Sequence, residues 1–310
     1  MLSNKVRILN FDDSITLQKR LMEKFQPEVV DFKKLGPYCR LWSNEKEAGQ
    51  IRMSLNPESK NRITFLGSGD YHHISGLLTE QFREPISLIV FDHHPDWDIL
   101  PPGLGCGSWV TYSLRKQNVM KAVILGVSSE DISSVWVQTG NLNSLKDDRV
   151  EIYPYAHKPT VTLLKKVPQN ISMKIKRGFG YNKISWQELR GKNQVDFLSG
   201  LISSRIKTKQ VYVSIDKDCL KSDYSLTNWE EGFFDLEELL GLLKVIKNNL
   251  DIVGLDIVGD YSAPRVEGRF KSFLSRIDHP KIYSAKNKTD VSISALNEQT
   301  NLKILELLLQ

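Results

Sequence analysis

Histidine and aspartate residues with the spacing of metal ligands occur in two short segments of this 310-residue sequence. Four of the six histidines belong to these segments, among them His72 and His73 in the first and His94 in the second. Side chains two residues apart point to the same side of an extended chain, so Asp92, His94 and Asp96 should converge on one point. Clustered imidazole and carboxylate groups of this kind indicate a metal site.

A third cluster contains two further carboxylates, Asp216 and Asp218, which alternate in the same way. Each cluster directly follows an apolar run typical of a buried strand, and parallel α/β sheets bind ligands at the carboxyl ends of their strands. Carboxylates held together without cations would raise one another's pKa at a large cost in free energy. Mixed aspartate and histidine ligation favours Mn²⁺, Zn²⁺ or Fe²⁺ over Ca²⁺. The sequence therefore predicts a site for divalent cations where three strands end.

Short apolar runs rich in β-branched residues predict the buried strands of a parallel sheet. Between them, Asp235 precedes a leucine-rich helical pattern, and Asp290 precedes another near the end of the sequence. Alternating strands and helices predict an α/β fold with a central, mostly parallel sheet. No internal repeat or linker divides the sequence, which predicts one domain over residues 1–310. The predicted strands are Val6–Leu9, Arg62–Leu66, Ser87–Phe91, Ala122–Leu125, Val211–Ile215 and Ile252–Val258.

Composition narrows the classes of protein that fit. Apolar residues make up 40% and charged residues 25%, which is the balance of a globular protein. The three cysteines form no disulfide framework, the first residues resemble no secretory signal, and no run is apolar enough to span a membrane. We therefore expect a cytoplasmic protein without a membrane partner.

Charge gives only weak information about partners. The net charge of +5 is modest, and it attracts nucleic acid or anionic surfaces only weakly. The lysine-rich segment 163–181 has little periodicity, and it lacks the aromatic residues interleaved with basic ones that a stacking platform for bases needs. We therefore expect a solvated surface segment there and no nucleic-acid partner. The expected partner is a small-molecule substrate, and association into a homo-oligomer stays open.

The order of these motifs resembles the arginase (ureohydrolase) superfamily. In that superfamily a turn with glycine, aspartate and histidine, an Asp-x-His-x-Asp motif and an Asp-x-Asp motif each follow a parallel strand. The resemblance runs from about Phe65 to Asp260. It implies a three-layer α/β/α fold and a binuclear site for two divalent metal ions, first of all Mn²⁺, with Zn²⁺ or Fe²⁺ as alternatives. By the same resemblance Asp92 and Asp96, with His72 or His73, would serve one metal or bridge both, and His94, Asp216 and Asp218 would complete the pair.

Two positions at which arginases recognise and protonate their substrate differ in this sequence. Where the resemblance places a proton-shuttling histidine, the chain has Cys106. Where it places a glutamate that binds the guanidinium group, the chain has Gly259, followed by Asp260. The metal-binding motifs are thus retained while the substrate-recognising residues are changed, and L-arginine is not the expected substrate.

Proton transfer and substrate contact are assigned to residues near these motifs. Asp96 or its neighbour Asp98 could relay a proton to the leaving amine. The resemblance to the deacetylase branch of the same superfamily, which uses two adjacent histidines as acid and base groups, makes His73 a second candidate for acid or base catalysis. The predicted substrate contacts are Cys106, Asp260 and Trp97, the last because aromatic side chains often wall small-molecule pockets.

The expected activity is hydrolysis of a C–N bond in a small guanidino or amide compound by a hydroxide that bridges two metals. Two alternatives stay open. One is a catalytically silent metal-binding protein. The other is an amidohydrolase resembling the single-zinc histone and acetylpolyamine deacetylases of the same superfamily, whose layout is similar to His72, His73, Asp92, His93, His94, Asp218 and Tyr261. The extra carboxylates Asp96 and Asp216 favour two metals over one.

Overall fold

The computed structural model describes residues 6–55, 63–100, 103–134, 136–163, 167–278 and 290–310. The described residues form β1 (Val6–Asn10), β2 (Glu28–Asp31), β3 (Trp42–Ser43), β4 (Ile63–Gly67), β5 (Ile86–Phe91), β6 (Leu104–Gly105), β7 (Val119–Leu125), β8 (Val150–Tyr153), β9 (Thr160–Leu163), β10 (Met173–Gly178), β11 (Tyr181–Trp186), β12 (Gln210–Asp216) and β13 (Asp251–Val258). The six predicted strands correspond to β1, β4, β5, β7, β12 and β13, and only the predicted first residue of β4, Arg62, lies outside the described residues.

Helices follow or separate most of these strands. They are α1 (Lys19–Phe25), α2 (Gly36–Cys39), α3 (Glu45–Ser54), α4 (Ile74–Thr79), α5 (Trp109–Leu114), α6 (Leu142–Lys146), α7 (Gln194–Arg205), α8 (Leu236–Asn249), α9 (Arg269–Asp278) and α10 (Asp290–Leu309). Among the described helices, none is long and apolar enough to cross a membrane.

The central sheet contains eight strands in the order β2-β1-β4-β13-β12-β5-β7-β8, and every neighbouring pair is parallel. Side chains alternate across it, because successive residues of a strand point to opposite faces. In β5, Ile89 and Phe91 join the core that includes α7, α8 and α10, whereas Leu88 and Val90 join the core that includes α4 and α5. The fold is therefore a three-layer α/β/α arrangement with a parallel sheet, as predicted.

The predicted start of α8 is confirmed by its hydrogen bonding. Asp235 precedes the helix in an extended conformation, and its backbone N–H donates to Glu238 Oε2 at 2.8 Å. A carboxylate three residues into a helix can satisfy a free N–H group at the helix start in this way. The final helix begins at Asp290, the residue predicted to cap it.

The lysine-rich segment differs from the prediction, because it contains strands. β9, β10 and β11 form a separate antiparallel sheet in the order β10-β11-β9. In β11, Asn182, Ile184 and Trp186 are buried and alternate with exposed residues, which is the pattern of a strand with one solvated face. Lys174 and Lys176 on β10 are exposed, as expected for a solvated surface. Lys165 and Lys166 lie outside the described residues.

Candidate metal centre

The three predicted ligand clusters meet at the carboxyl edge of the central sheet. β4 leads through a single 3₁₀ turn to His72, β5 ends one residue before Asp92, and β12 ends at Asp216. These strands lie close together in the sheet, with β13 and β12 between β4 and β5. Residues far apart in sequence are thus brought together because parallel strands end at the same edge.

Two groups of side chains at this edge have the geometry of metal-binding sets, and they share Asp92. The first is His72, Asp92 and Asp216, and the second is Asp92, His94 and Asp218, with the ligand atoms of each set within 4.8 Å of one another. In the first set, Asp92 Oδ2 lies 3.2 Å and Asp216 Oδ2 lies 3.5 Å from His72 Nδ1. In the second, Asp92 Oδ1 lies 3.8 Å and Asp218 Oδ2 lies 2.9 Å from His94 Nδ1. Asp92 therefore presents one oxygen to each set.

A chain of hydrogen bonds fixes the ring of His72. Its Nε2 lies 2.8 Å from Ser214 Oγ, which donates to Asp256 Oδ1 at 2.7 Å, while Tyr212 donates to Asp256 Oδ2 at 2.6 Å. Because Ser214 gives its only proton to Asp256, it must accept the hydrogen bond from His72 Nε2. In a neutral ring this leaves the lone pair on Nδ1, which faces the carboxylates. Such support from behind is typical of metal-binding histidines.

His94 is oriented in the same sense by an acidic residue that sequence reasoning missed. His94 Nε2 lies 3.4 Å from Glu230 Oε2, while its Nδ1 faces Asp218. Hydrogen bonding to His94 lowers the pKa of Glu230 to about 2, so this carboxylate stays ionised. The ring also contacts Trp229 edge to face, with centroids 5.4 Å apart. Both imidazoles therefore turn Nδ1 towards the shared Asp92.

Asp96 lies beside the first set in an unusual backbone conformation. Its φ of +48° is in the left-handed region, which costs a residue with a side chain about 1–2 kcal/mol. Its Oδ2 accepts a hydrogen bond from Trp109 Nε1 at 2.7 Å and lies 3.0 Å from His72 Nδ1. The turn at Asp96 thus brings a third carboxylate close to His72, although neither metal-binding set includes Asp96.

The electrostatics of the cluster show that it needs compensating positive charge. Burial and the neighbouring Asp96 raise the pKa of Asp92 well above its ordinary value, and burial and Asp218 raise that of Asp216 to about 8. Burial opposes protonation of His72, but its contacts with Asp92 and Asp96 outweigh burial and raise its pKa. Protons therefore compensate the carboxylates near neutral pH when no cation is bound. Divalent ions can replace these protons, so metal binding should release them.

One buried oxygen of the cluster has no hydrogen-bond partner. In the described part of the chain Asp92 Oδ2 is buried and unsatisfied, and His72 Nδ1 lies 3.2 Å from it. A buried carboxylate oxygen left unpaired costs free energy. A cation between the imidazole and carboxylates would satisfy it, so the residues present fit a divalent metal pair.

A cavity of about 470 Å³ opens onto both ligand sets. Besides the ligands it is lined by Asp98, Cys106, Asp131, Trp229 and Glu230. Burial raises the pKa of Asp98 to about 7, and Thr139 donates to its Oδ1 at 3.0 Å. Asp98 and Cys106, both predicted from sequence, thus lie in the same cavity as the metal-binding sets.

The cavity residues that sequence reasoning missed belong to loops without a recognisable motif. Asp131, Trp229 and Glu230 come from segments between β7 and β8 and between β12 and α8. One signal was the glycine at position 69, because a Cβ there would lie 2.9 Å from Asp216 Oδ2 and 3.0 Å from Trp229 Cδ1. Such close approach requires glycine, but the sequence does not say which residue approaches.

Comparison with known protein sequences gives a partial match. No protein-family model matches the sequence. A curated protein of Thermotoga maritima described as uncharacterized is 27% identical over 198 residues, which are 64% of this chain and 58% of that protein. The match therefore spans less than two thirds of the relative's length.

Solved structures give a match over nearly the whole chain. The arginase of Entamoeba histolytica superposes with a TM-score of 0.57 at 12% identity, over 99% of this chain and 98% of that one. The chain has the arginase fold. A hypothetical agmatinase from Burkholderia thailandensis matches with a TM-score of 0.51 at 14% identity, covering 99% and 88% of the two chains. A Trypanosoma cruzi formiminoglutamase solved with Mn²⁺ matches with a TM-score of 0.50 at 10% identity, covering 95% and 86%. At these identities the similarity establishes the fold.

Three residues that were predicted to act at the site lie outside the candidate metal centre of this divergent arginase fold. The first is His73. Its Nε2 lies 2.7 Å from Ser43 Oγ, and neither metal-binding set among the described residues includes it. Burial and the charge of Lys271 lower its pKa to about 3. His72 and His73 belong to helical turns, where consecutive side chains point about 100° apart. The structure therefore places His72, and not His73, in a candidate metal-binding set, which differs from the prediction that included both.

Trp97 is the second correction. Its side chain is fully buried, and it does not belong to the described lining of the cavity. The indole packs onto Gly140, where a Cβ would lie 2.1 Å from Trp97 Cε2. Trp97 therefore packs in the core and anchors the loop after Asp96, outside the described lining of the cavity for which it was predicted.

Asp260 is the third correction, because its carboxylate is held by a buried network. Lys217 Nζ lies 2.7 Å from Asp260 Oδ2, Gln18 Nε2 donates to Oδ1 at 2.7 Å, and Asn301 Nδ2 donates to the same oxygen at 3.2 Å. Both members of the ion pair are buried. Lys217 is the residue between Asp216 and Asp218, so its pairing anchors the loop that carries both carboxylates. Asp260 therefore supports this loop, and it does not belong to the described lining of the cavity.

Replacing Lys217 by methionine should lower the free energy of unfolding by about 3–5 kcal/mol, because it leaves the Asp260 charge buried without its cation. Urea denaturation of the metal-free protein measures the change. The matched control is Lys221→Met, which breaks the half-exposed pair with Asp235 (2.8 Å) and should change the free energy of unfolding by at most about 1 kcal/mol. The double variant Lys217→Met/Asp260→Asn should recover part of the loss. Equal stability of the Lys217 variant and the parent protein would contradict this role.

Proposed function

We propose that the protein is a divalent-metal-dependent hydrolase that cleaves C–N bonds in a small guanidino or amide compound. The observation that carries the proposal is the pair of metal-binding sets that share Asp92 and face one cavity. The arginase fold supports it, because matched structures include an arginase and an agmatinase by name.

In this proposal the chain holds two metal ions through five residues. His72, Asp92 and Asp216 would hold one ion, with Asp96 beside it, and Asp92, His94 and Asp218 would hold the other. Mn²⁺ is the first candidate, supported by the Mn²⁺-containing formiminoglutamase structure, and Zn²⁺ or Fe²⁺ are alternatives. When bound, the ions would supply Lewis acidity and a water acidic enough to lose a proton near neutral pH.

The remaining cavity residues bind and orient the substrate and move protons. Asp98 faces the cavity and is held by Thr139, so it is our candidate for carrying a proton to the leaving amine. Glu230 keeps the ring of His94 oriented, and Trp229 packs beside it. Trp229 is itself held, because its Nε1 donates to Asp70 Oδ1 at 3.0 Å. These contacts fix the shape of the cavity before a substrate arrives, which is what catalysis by orientation needs.

The single-zinc alternative has less support from the geometry. A deacetylase-like site would use a tyrosine to polarise the amide, yet the described lining of the cavity does not include Tyr261. Asp216, which completes the first ligand set, would also have no ligand role in such a site. We therefore treat the single-zinc enzyme and the catalytically silent protein as outcomes of the following test.

Turnover on a panel of amides, ureas and guanidines should depend on added metal. We expect the protein to hydrolyse at least one of these compounds after loading with Mn²⁺, to lose activity after chelation, and to regain it when Mn²⁺ returns. Ammonia or urea release measures the activity, and Lys221→Met serves as the control variant, because Lys221 belongs to neither ligand set and does not line the described cavity. Two bound ions with no turnover on any compound would support the silent protein instead.

A further inference from the structure

A second cavity, of about 530 Å³, adjoins the cavity of the metal centre. Asp98, Cys106 and Gly107 line both, so the two cavities are direct neighbours that meet at these residues. The remaining wall of the second cavity is mainly apolar: Leu41, Trp42, Leu100, Phe270 and Leu274. We call this space the apolar cavity.

Helix α9 supplies one wall of both cavities. Phe270 and Leu274 line the apolar cavity, and Ile277 lines the metal-centre cavity. Their spacing of four and three residues places them on one face of a helix. Phe270 is 69% exposed and Ile277 is 55% exposed, so this face leaves apolar surface in contact with water. A ligand lying along it would remove that surface from water, which is favourable in proportion to the area covered.

The charges around the two cavities select against anionic ligands. Among the described residues that line either cavity there is no lysine or arginine, whereas Asp98, Asp131 and Glu230 contribute carboxylates beyond the ligand sets. Lys271 lies beside the apolar cavity, with its Nζ 4.4 Å from the centroid of the Trp42 ring, but it donates to the backbone oxygens of Tyr38 and Trp42. A carboxylate on the substrate would therefore find no lysine or arginine in the described lining and would face acidic groups. A neutral or cationic head group would avoid this repulsion.

We propose that the apolar cavity binds an alkyl or aryl arm of the substrate, whose scissile C–N group lies at the metals and which carries no carboxylate. This proposal rests on the proposed function for the position of the reacting group. The binding of the arm itself depends only on the walls of the cavity.

A series of n-alkylguanidines from methyl to hexyl tests the arm by binding alone. Isothermal titration calorimetry with Mn²⁺-loaded protein should show affinity rising about fourfold for each added methylene until the cavity is filled. A hexyl chain that ends in a carboxylate should bind more weakly than plain hexylguanidine. Affinity that does not depend on chain length would overturn the proposal.

Variants on one helix separate the cavity from a general effect of apolar surface. Leu274→Asp and Phe270→Ser should each lower the affinity for hexylguanidine, the former by about tenfold or more, and leave that for methylguanidine unchanged. Phe273→Ser is the matched control, because Phe273 lies on the same helix, is 60% exposed and lines neither cavity. Phe270 is largely exposed, so its replacement should leave the protein folded. An equal effect of Phe273→Ser would assign the apolar face to another contact, such as a second copy of the chain, and reject the proposal.

Hydrolysis measured beside binding distinguishes the two proposals. Chain-length-dependent binding without hydrolysis of any compound would support the apolar cavity and reject the proposed function. Hydrolysis with a rate and affinity independent of chain length would reject the apolar cavity and leave the proposed function standing.

Discussion

Replacing Asp92 by asparagine should abolish binding of both metal ions under conditions in which the parent protein binds about two Mn²⁺ per chain. Asp92 is the residue common to both sets, and each of its oxygens faces a different imidazole. Asparagine removes the charge and one of the two acceptor oxygens. The loss of affinity should exceed the roughly 10–100-fold that follows from removing an outer-shell partner of a ligand. Equilibrium dialysis with elemental analysis measures the stoichiometry.

Single-set variants show whether the two sets are independent. Asp216→Asn should weaken only the ion held with His72, and Asp218→Asn only the ion held with His94. Asp131→Asn is the matched control, because Asp131 lines the same cavity but belongs to neither set. A parent protein that binds one ion, with affinity unaffected by Asp216→Asn, would favour the single-zinc enzyme.

The central sheet and its ligand edge could be predicted because both follow from short-range patterns. Continuous apolar runs identify strands covered on both faces, and the alternation of Asp92, His94 and Asp96 suggested a common direction. Parallel strands then bring separate motifs to one edge, whatever the loops between them do. The direction in which the Asp96 carboxylate points depends on the left-handed backbone of this residue, with a φ of +48°. Alternation along an extended chain does not predict that conformation.

The rest depended on contacts between residues distant in sequence. The choice of His72 over His73 follows from a helical turn anchored by Ser214, on another strand. Asp260 was predicted to contact substrate because the sequence does not reveal its ion-pair partner. That partner, Lys217, lies 43 residues earlier, in the loop that carries Asp216 and Asp218. The antiparallel sheet of β9, β10 and β11 was missed because only one of its faces is buried, so apolar content alone gave little signal.

L-Arginine should be hydrolysed with a kcat/KM well below about 10⁴ M⁻¹s⁻¹, the lower end of the ordinary range for enzymes. A guanidinium is recognised by a carboxylate held against it in a bidentate pair, so the position of the carboxylate matters as well as its presence. At the position where the resemblance places it the chain has Gly259, and the next residue, Asp260, is held by Lys217. The α-carboxylate of arginine would also find no cationic side chain among the described residues lining the cavity. Urea release by Mn²⁺-loaded protein measures the rate, and the best compound of the substrate panel shows that the preparation is active.

Restoring the glutamate at position 259 should not create an arginase. This experiment distinguishes a site that has changed as a whole from one that has lost a single residue. Gly259 has a φ of +90°, and a Cβ there would lie 2.5 Å from Asp216 Oδ1 and 2.8 Å from the backbone N of Lys217. Gly259→Glu should therefore displace a metal ligand, and we expect it to bind less Mn²⁺ and to gain no activity on L-arginine. The control is Gly268→Glu. Gly268 also has a positive φ, of +96°, but no atom lies within 4 Å of a Cβ placed there. This variant therefore introduces similar backbone strain without a steric clash at the ligand residues. Efficient urea release by the Gly259 variant would show that the clash is relieved and that the chain is one substitution from an arginase.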